Sequence, residues 1–90
     1  MANEMKAFLN MLRWCEGTDG PDGYRTMFGG KLFKEWKHPN KAVSFKLKGQ
    51  TYWSTAAGAY QFLSSTWNTL AIRNGYQDFS PENQDLAAIE

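Results

Sequence analysis

The sequence predicts an α+β fold: a helix at the N-terminus, a small antiparallel β-sheet in the middle third, and helices to the C-terminus. Three observations carry this. Apolar residues recur at helical spacing near both ends, they alternate with polar ones in the middle, and glycine pairs or Asn-Gly fall between the periodic runs. Ninety residues suffice for one small domain, so residues 1–90 are read as a single unit. A chain this short buries only roughly 60% of the surface its unfolded form exposes, which leaves a thin stability margin.

Met5, Phe8, Leu9 and Leu12 stand at i, i+3, i+4 and i+7, one apolar stripe of a first helix. Gly17 is its stop signal, and Gly20-Pro21-Asp22-Gly23 makes the loop beyond. Tyr24 to Phe28 and Leu32 to Trp36 flank Gly29-Gly30, which predicts a β-hairpin. Val43 to Leu47 alternates in strand fashion, and Gly49-Gln50 is the expected turn into Thr51-Tyr52-Trp53. A basic connection around His38-Pro39-Asn40 separates the two. Helical spacing returns from about Ala57 to Arg73, with Tyr60, Leu63, Trp67 and Leu70 as the stripe and Asn74-Gly75 as the stop. Ser80-Pro81-Glu82 then starts a last helix, with Ser at the N-cap, Pro at the first helical position and an acid in the first turn. That helix has a start and no stop signal, so a C-terminally truncated chain is expected.

Composition narrows the function classes. Four Trp, four Tyr and six Phe are more than a small core needs, and some are candidates for a surface that meets a flat ligand. The single Cys15 excludes an internal disulfide and any Cys-based zinc site. No apolar run is long enough for a membrane span, and Met1 to Asn10 carries no basic leader, so no membrane insertion is expected. Charge is uneven: Arg25, Lys31, Lys34, Lys37, Lys41, Lys46 and Lys48 face Glu35 as the only acid between them. Such a run is a solvated face or a docking surface for a polyanion, either nucleic acid or an anionic cell wall.

Glu16 is the candidate catalyst. At 100° per residue it lies about 20° from Leu9 and about 40° from Leu12 around the helix axis, so it continues the apolar stripe. It also stands in the last turn, where the helix dipole disfavours an anion. Burial and dipole would both favour the protonated form, the state a general acid requires. Position alone does not distinguish this from an ordinary glutamate that bends out to solvent.

The surrounding motifs add to it. Leu12-Arg13-Trp14-Cys15-Glu16-Gly17-Thr18-Asp19 resembles the W-x-E-G-T-D signature of the lambda-type endolysins, phage lytic enzymes with a lysozyme-like fold. The likeness continues through Gly23-Tyr24, Gly29-Gly30-Lys31-Leu32-Phe33 and His38-Pro39. It is clearest from Ser54 to Leu63, and Asp78-Phe79-Ser80-Pro81 with Gln84-Asp85 completes it in the family's order.

This resemblance implies a peptidoglycan transglycosylase. Glu16 would protonate the oxygen between N-acetylmuramic acid and N-acetylglucosamine, then draw a proton from the muramic C6 hydroxyl as a 1,6-anhydro ring closes. A hydrolase needs a second carboxylate. Asp19 and Asp22 are the nearby candidates, and Arg25 stands where other phage muramidases place a functional Asp. Gln61 and Tyr60 would sit at a helix start against the cleft, where an amide can both donate and accept. Ser54 and Thr55 would add hydroxyls, while Tyr24 and Trp53 are candidates for stacking on sugar faces. Gly58 would permit close backbone approach. Lys41 to Tyr52 corresponds to a lip over the cleft, altered here by an apparent insertion around Gly49-Gln50-Thr51. His38 reads as structural or solvated, and Cys15 lacks the His partner that nucleophilic catalysis needs.

The implied partner is the peptidoglycan glycan strand, with no metal, cofactor or nucleic acid. Synthesis in the host cytoplasm and action at the wall after a separate membrane-permeabilising protein has opened the way are implied as well. Family members extend further, into helices that close the other wall of the cleft. An incomplete site and self-association through the apolar side of the last helix are therefore expected. A lobe that holds glycan without cutting it, and a basic nucleic-acid binder, remain the alternatives from the residues alone.

Overall fold

The computed structural model describes residues 1–90. In chain order it has α1 (Asn3–Glu16), a 3-10 turn (Gly23–Arg25), β1 (Val43–Leu47), β2 (Gln50–Ser54), α2 (Ser64–Asn74) and α3 (Pro81–Ala88). Helix α1 stops as its sequence predicts. Gly17 takes a left-handed φ of 72°, its N–H reaches the Trp14 carbonyl at 3.1 Å, and the Thr18 N–H reaches Arg13 at 2.8 Å. This is the paired closure of a Schellman motif, which Gly makes without a Cβ penalty. Of the predicted stripe only Leu9 is buried; Met5 and Leu12 are half-buried and Phe8 is exposed.

The hairpin forms with its turn one residue earlier than expected. Lys48 (φ 51°) and Gly49 (φ 81°) are the loop, and Gln50 is already paired with Leu47. Two positive φ values in a row suit a two-residue loop whose twist matches the strands. On one face Phe45 stacks on Tyr52 with ring centroids 5.7 Å apart, and Phe28 packs on Phe45 at 5.1 Å.

Two expected elements change. The hairpin around Gly29-Gly30 shrinks to a single bridge, Thr26 to Leu32, with the Met27 N–H on the Lys31 carbonyl at 2.7 Å. Its other edge pairs elsewhere: Met27 bridges Ala57, and the Phe28 N–H takes the Ala56 carbonyl at 2.8 Å. Tyr24 and Arg25 lie in the 3-10 turn, and the chain from Lys34 to Trp36 bends without pairing. The helix expected from Ala57 begins only at Ser64. Gly58 (φ 85°) and Gln61 (φ 53°) are left-handed, and Ala57 and Phe62 exchange backbone bonds at 3.0 and 2.8 Å, which closes a tight loop. Tyr60 and Leu63 thus fall outside the helix.

The other boundaries are as the sequence predicts. Gly75 (φ 74°) ends α2, and Ser80 Oγ accepts the Asn83 N–H at 3.3 Å to cap α3 ahead of Pro81. The core is aromatic. Trp67 meets Phe79 edge-on at 4.5 Å, Tyr76 stacks on Trp67 at 5.7 Å, and Phe62, Ala57 and Ala87 close around them. Such pairs add about 0.5–1.5 kcal/mol each beyond area burial. His38 belongs to this structure: its ring lies 5.0 Å from Phe79, Nε2–H donates to the Phe62 carbonyl at 2.8 Å, and Nδ1 accepts the Asn40 N–H at 3.0 Å. No helix is long and apolar enough to cross a membrane.

With only 12 of 90 residues buried, single close contacts matter. A Cβ at Gly58 would stand 2.4 Å from Gln84 Oε1 and 2.7 Å from Phe79 Cζ, at a φ that side chains rarely adopt. Gly58→Ala is expected to cost about 2 kcal/mol or more, read by chemical denaturation. Burial depresses the His38 pKa, against a smaller opposite effect of its bond to Phe62. The stabilisation tied to neutral His38 is present above about pH 6.5, its unfolded value, and is lost as pH falls through the lower native pKa. Unfolding free energies measured against pH should fall in that window, and His38→Gln should flatten the fall.

Candidate functional site

Glu16 is the last residue of α1, and the loop behind it is tightly built. Arg13, one turn earlier, donates Nε–H and Nη2–H to the Thr18 carbonyl at 3.0 and 2.8 Å and a further Nη2–H to Gly20 at 2.9 Å. Thr18 is buried, and its hydroxyl donates to the Ala59 carbonyl. Gly23 passes so close that a Cβ there would lie 1.7 Å from the Thr18 oxygen. The backbone that follows Glu16 is therefore fixed by a guanidinium fork, a hydroxyl and a close glycine contact.

The expected burial of Glu16 is not found: its side chain is exposed. The stripe is buried at Leu9 and half-buried at Leu12, and its cover ends before Glu16. On another side of the helix Trp14 is 72% exposed, and Met11 and Phe8 continue that open surface. Cys15 is exposed and unpaired. Asp19 lies in the exposed loop, and Asp22 meets Arg25 at 3.4 Å in a solvent-exposed ion pair worth about 0–1 kcal/mol.

The remaining candidates each have a bond to keep. Ser54 Oγ accepts the Ala56 N–H at 3.2 Å and Thr55 Oγ1 accepts the Ser64 N–H at 3.0 Å, so both hydroxyl protons stay free. Gln61 Nε2 donates both hydrogens, to Thr26 at 3.0 Å and Gly58 at 2.8 Å, which leaves its carbonyl oxygen to accept. Gln61 and Tyr60 lie in the left-handed loop before α2 rather than at a helix start. The hydroxyls of Tyr24 and Tyr60 both donate to Asp85 Oδ1, at 2.8 and 2.6 Å, and their rings meet edge-on. Trp53 is 66% exposed, opposite Ser44 on the hairpin.

Three residues that the single-residue reading passed over organise this region: Arg13, Gln84 and Asp85. A basic residue in the last turn of α1 and the Gln84-Asp85 pair were their only signals. The largest hollow, about 550 Å³, lies away from Glu16 and is lined by Phe33, Lys34, Glu35, Lys37, His38 and Asn40, with Pro39 between. Its polar, open walls hold no carboxylate pair.

Comparison with known proteins covers nearly the whole chain. Residues 6–90 match a protein-family model described as Endolysin. The chain is 42% identical over 95 residues to the endolysin of Escherichia phage lambda, across 98% of this chain and 58% of that protein. Lysozyme from bacteriophage lambda superimposes with a TM-score of 0.88, and bacteriophage lambda lysozyme complexed with a chitohexasaccharide with 0.87. Each is 41% identical, over 99% of this chain and 60% of the other. The chain thus spans about three-fifths of the length of these relatives and has their lysozyme-like α+β architecture.

Burial and then the bond to Asp85 raise the pKa of Tyr24 and, far more strongly, of Tyr60. The neutral phenols are the folded form, so their stabilisation is complete below about pH 10, the unfolded value, and is lost as pH rises through the native pKa values. Ultraviolet titration should show Tyr60 ionising only as the protein unfolds in alkali, and Tyr60→Phe should weaken that alkaline loss of stability.

Proposed function

The chain belongs to the endolysin family, and on that premise we propose that it cuts the glycan strand of peptidoglycan with Glu16 as general acid and base. One observation carries the reading: the Trp14-Cys15-Glu16-Gly17-Thr18-Asp19 run presents a solvent-open carboxylate on a rigid helix end, in a chain that matches the family from residue 6 to 90. Glu16 donates its proton to the bridging oxygen as the bond to muramic C1 breaks. The carboxylate then takes the proton of the C6 hydroxyl, whose oxygen bonds to C1. The products are a free hydroxyl on one strand and a 1,6-anhydro end on the other, and no water is consumed.

Transglycosylation is favoured over hydrolysis because no side-chain bond orients Asp19, three residues past Glu16 in the exposed loop, as a second carboxylate. Asp22 is engaged by Arg25, and Arg25 itself occupies the position of the second acid in other phage muramidases. The free protons of Ser54 and Thr55 and the free carbonyl of Gln61 suit the N-acetyl and hydroxyl groups of an amino sugar, and the Tyr24 and Tyr60 oxygens can still accept. The lambda lysozyme complex with a chitohexasaccharide supports a glycan ligand. The same proposal includes action on the cell wall during host lysis, after a separate protein has opened the membrane, and the family match supports it. Leu86 (45% exposed) and Ile89 (37%) supply an apolar surface for self-association.

Glu16→Gln should lower the rate of clearing of purified cell walls by roughly 100-fold or more while leaving the unfolding midpoint unchanged. Mass spectrometry of the released muropeptides should find anhydro ends. Equal clearing by both proteins would remove Glu16 from the chemistry, reducing ends would assign hydrolysis, and wall binding without clearing by either would leave a glycan-binding lobe.

A further inference from the structure

We infer that Asp85 is a positioning residue for the Glu16 loop, acting through the ring of Tyr24 on the guanidinium of Arg13; this rests on the reading of Glu16 as the acid. Asp85 is half-buried on α3, and no cation comes within ion-pair distance of it. Its Oδ1 instead takes two phenol protons, at 2.8 Å from Tyr24 and 2.6 Å from Tyr60. A neutral amide oxygen would accept the same two bonds. A carboxylate makes those bonds stronger than an amide would, and its charge also reaches past them to the rings that donate.

The Tyr24 ring supplies the target. The Arg13 guanidinium carbon lies 4.4 Å from its centroid. A phenol whose proton is drawn toward a carboxylate carries more electron density in its ring, and the attraction of that face for a cation grows. Arg13 in turn spends three N–H bonds on the carbonyls of Thr18 and Gly20, the residues on either side of Asp19 and directly beyond Glu16. The negative charge on α3 thereby fixes a cation on α1, and that cation fixes the backbone that leaves the candidate catalyst. Tyr60, the second donor to the same oxygen, holds the carboxylate in line and ties it to the loop before α2.

Asp85→Asn removes the charge and keeps the acceptor; Tyr24→Phe removes the link and keeps the ring. In both variants the Arg13 Nε proton, followed by NMR, should exchange with solvent about five to ten times faster than in the unchanged chain, with the rest of the amide spectrum retained. On cell walls, kcat should fall roughly tenfold with KM little changed, and Asp85→Glu should restore part of it. Unaltered Arg13 exchange in a folded Asp85→Asn protein overturns the proposal, as does an unaltered kcat where the unchanged chain is active. Should Asp85→Asn fail to fold, Tyr24→Phe decides by the same exchange. If the unchanged chain and Glu16→Gln clear walls equally, the Glu16 reading fails on its own, while the Arg13 exchange still decides whether the Asp85 charge acts on Arg13.

Discussion

The architecture hangs on one buried amide. Gln84 is fully buried, and it uses all three bonds its place allows: Oε1 accepts the Ala59 N–H at 2.9 Å, and Nε2 donates to the carbonyls of Tyr24 at 3.0 Å and Phe79 at 2.8 Å. It thereby joins the 3-10 turn, the loop before α2 and the start of α3. A polar group this deep is tolerated only when satisfied, and no buried side-chain nitrogen or oxygen in the chain lacks a partner. The knot dictates what surrounds it. Gly58 has no side chain because Gln84 and Phe79 occupy the space one would fill, and its left-handed φ aims its N–H at the Thr26 carbonyl, 2.8 Å away.

From this knot the constraint runs outward to Glu16. Ala59, whose N–H is held by Gln84, offers its carbonyl to the Thr18 hydroxyl, so the loop behind α1 is pinned to the same three-way junction. Asp85, the next residue along α3, holds both phenols. Core and site are therefore built from adjacent residues of one helix. A change in the position of α3 is felt at the Glu16 loop through Thr18 and through Tyr24. Catalytic groups that lie on exposed ground need such support, because their own environment does not hold them.

What the sequence revealed and what it hid divide by the range of the forces. The stop of α1 at Gly17, the cap at Ser80-Pro81 and the strands around Lys48-Gly49 are set by residues within one turn of each other, and they were legible. The loop from Ala57 to Phe62 carries a helical apolar spacing, yet Gly58 and Gln61 are driven left-handed by bonds to Thr26, far earlier in the chain. The Gly29-Gly30 hairpin stops at one bridge for the same reason: Met27 keeps its N–H on Lys31 but also bridges Ala57, and the Phe28 N–H goes to Ala56. Periodicity measures one segment's preference, and here distant pairing overrides it. The link from Arg13 to Asp85 spans most of the chain, so only the motif likeness at Gln84-Asp85 hinted at it.

The exposure of Glu16 is the most instructive departure, because the large apolar residues exposed on α1 lie on a different side of the helix from it. At 100° per residue Trp14 stands about 160° from Glu16 around the axis, Met11 about 140° and Phe8 about 80°. A surface that covers Trp14 and Met11 therefore leaves the Glu16 side of the last turn open, and the two flanks of α1 are separate places for contact. The stripe, buried at Leu9 and half-buried at Leu12, loses its cover before Glu16, so helical spacing carries this residue onto the core side of α1 where the core has already ended. What fixes Glu16 is thus the backbone behind it, held by Arg13 and Thr18, and not the surroundings of its own side chain.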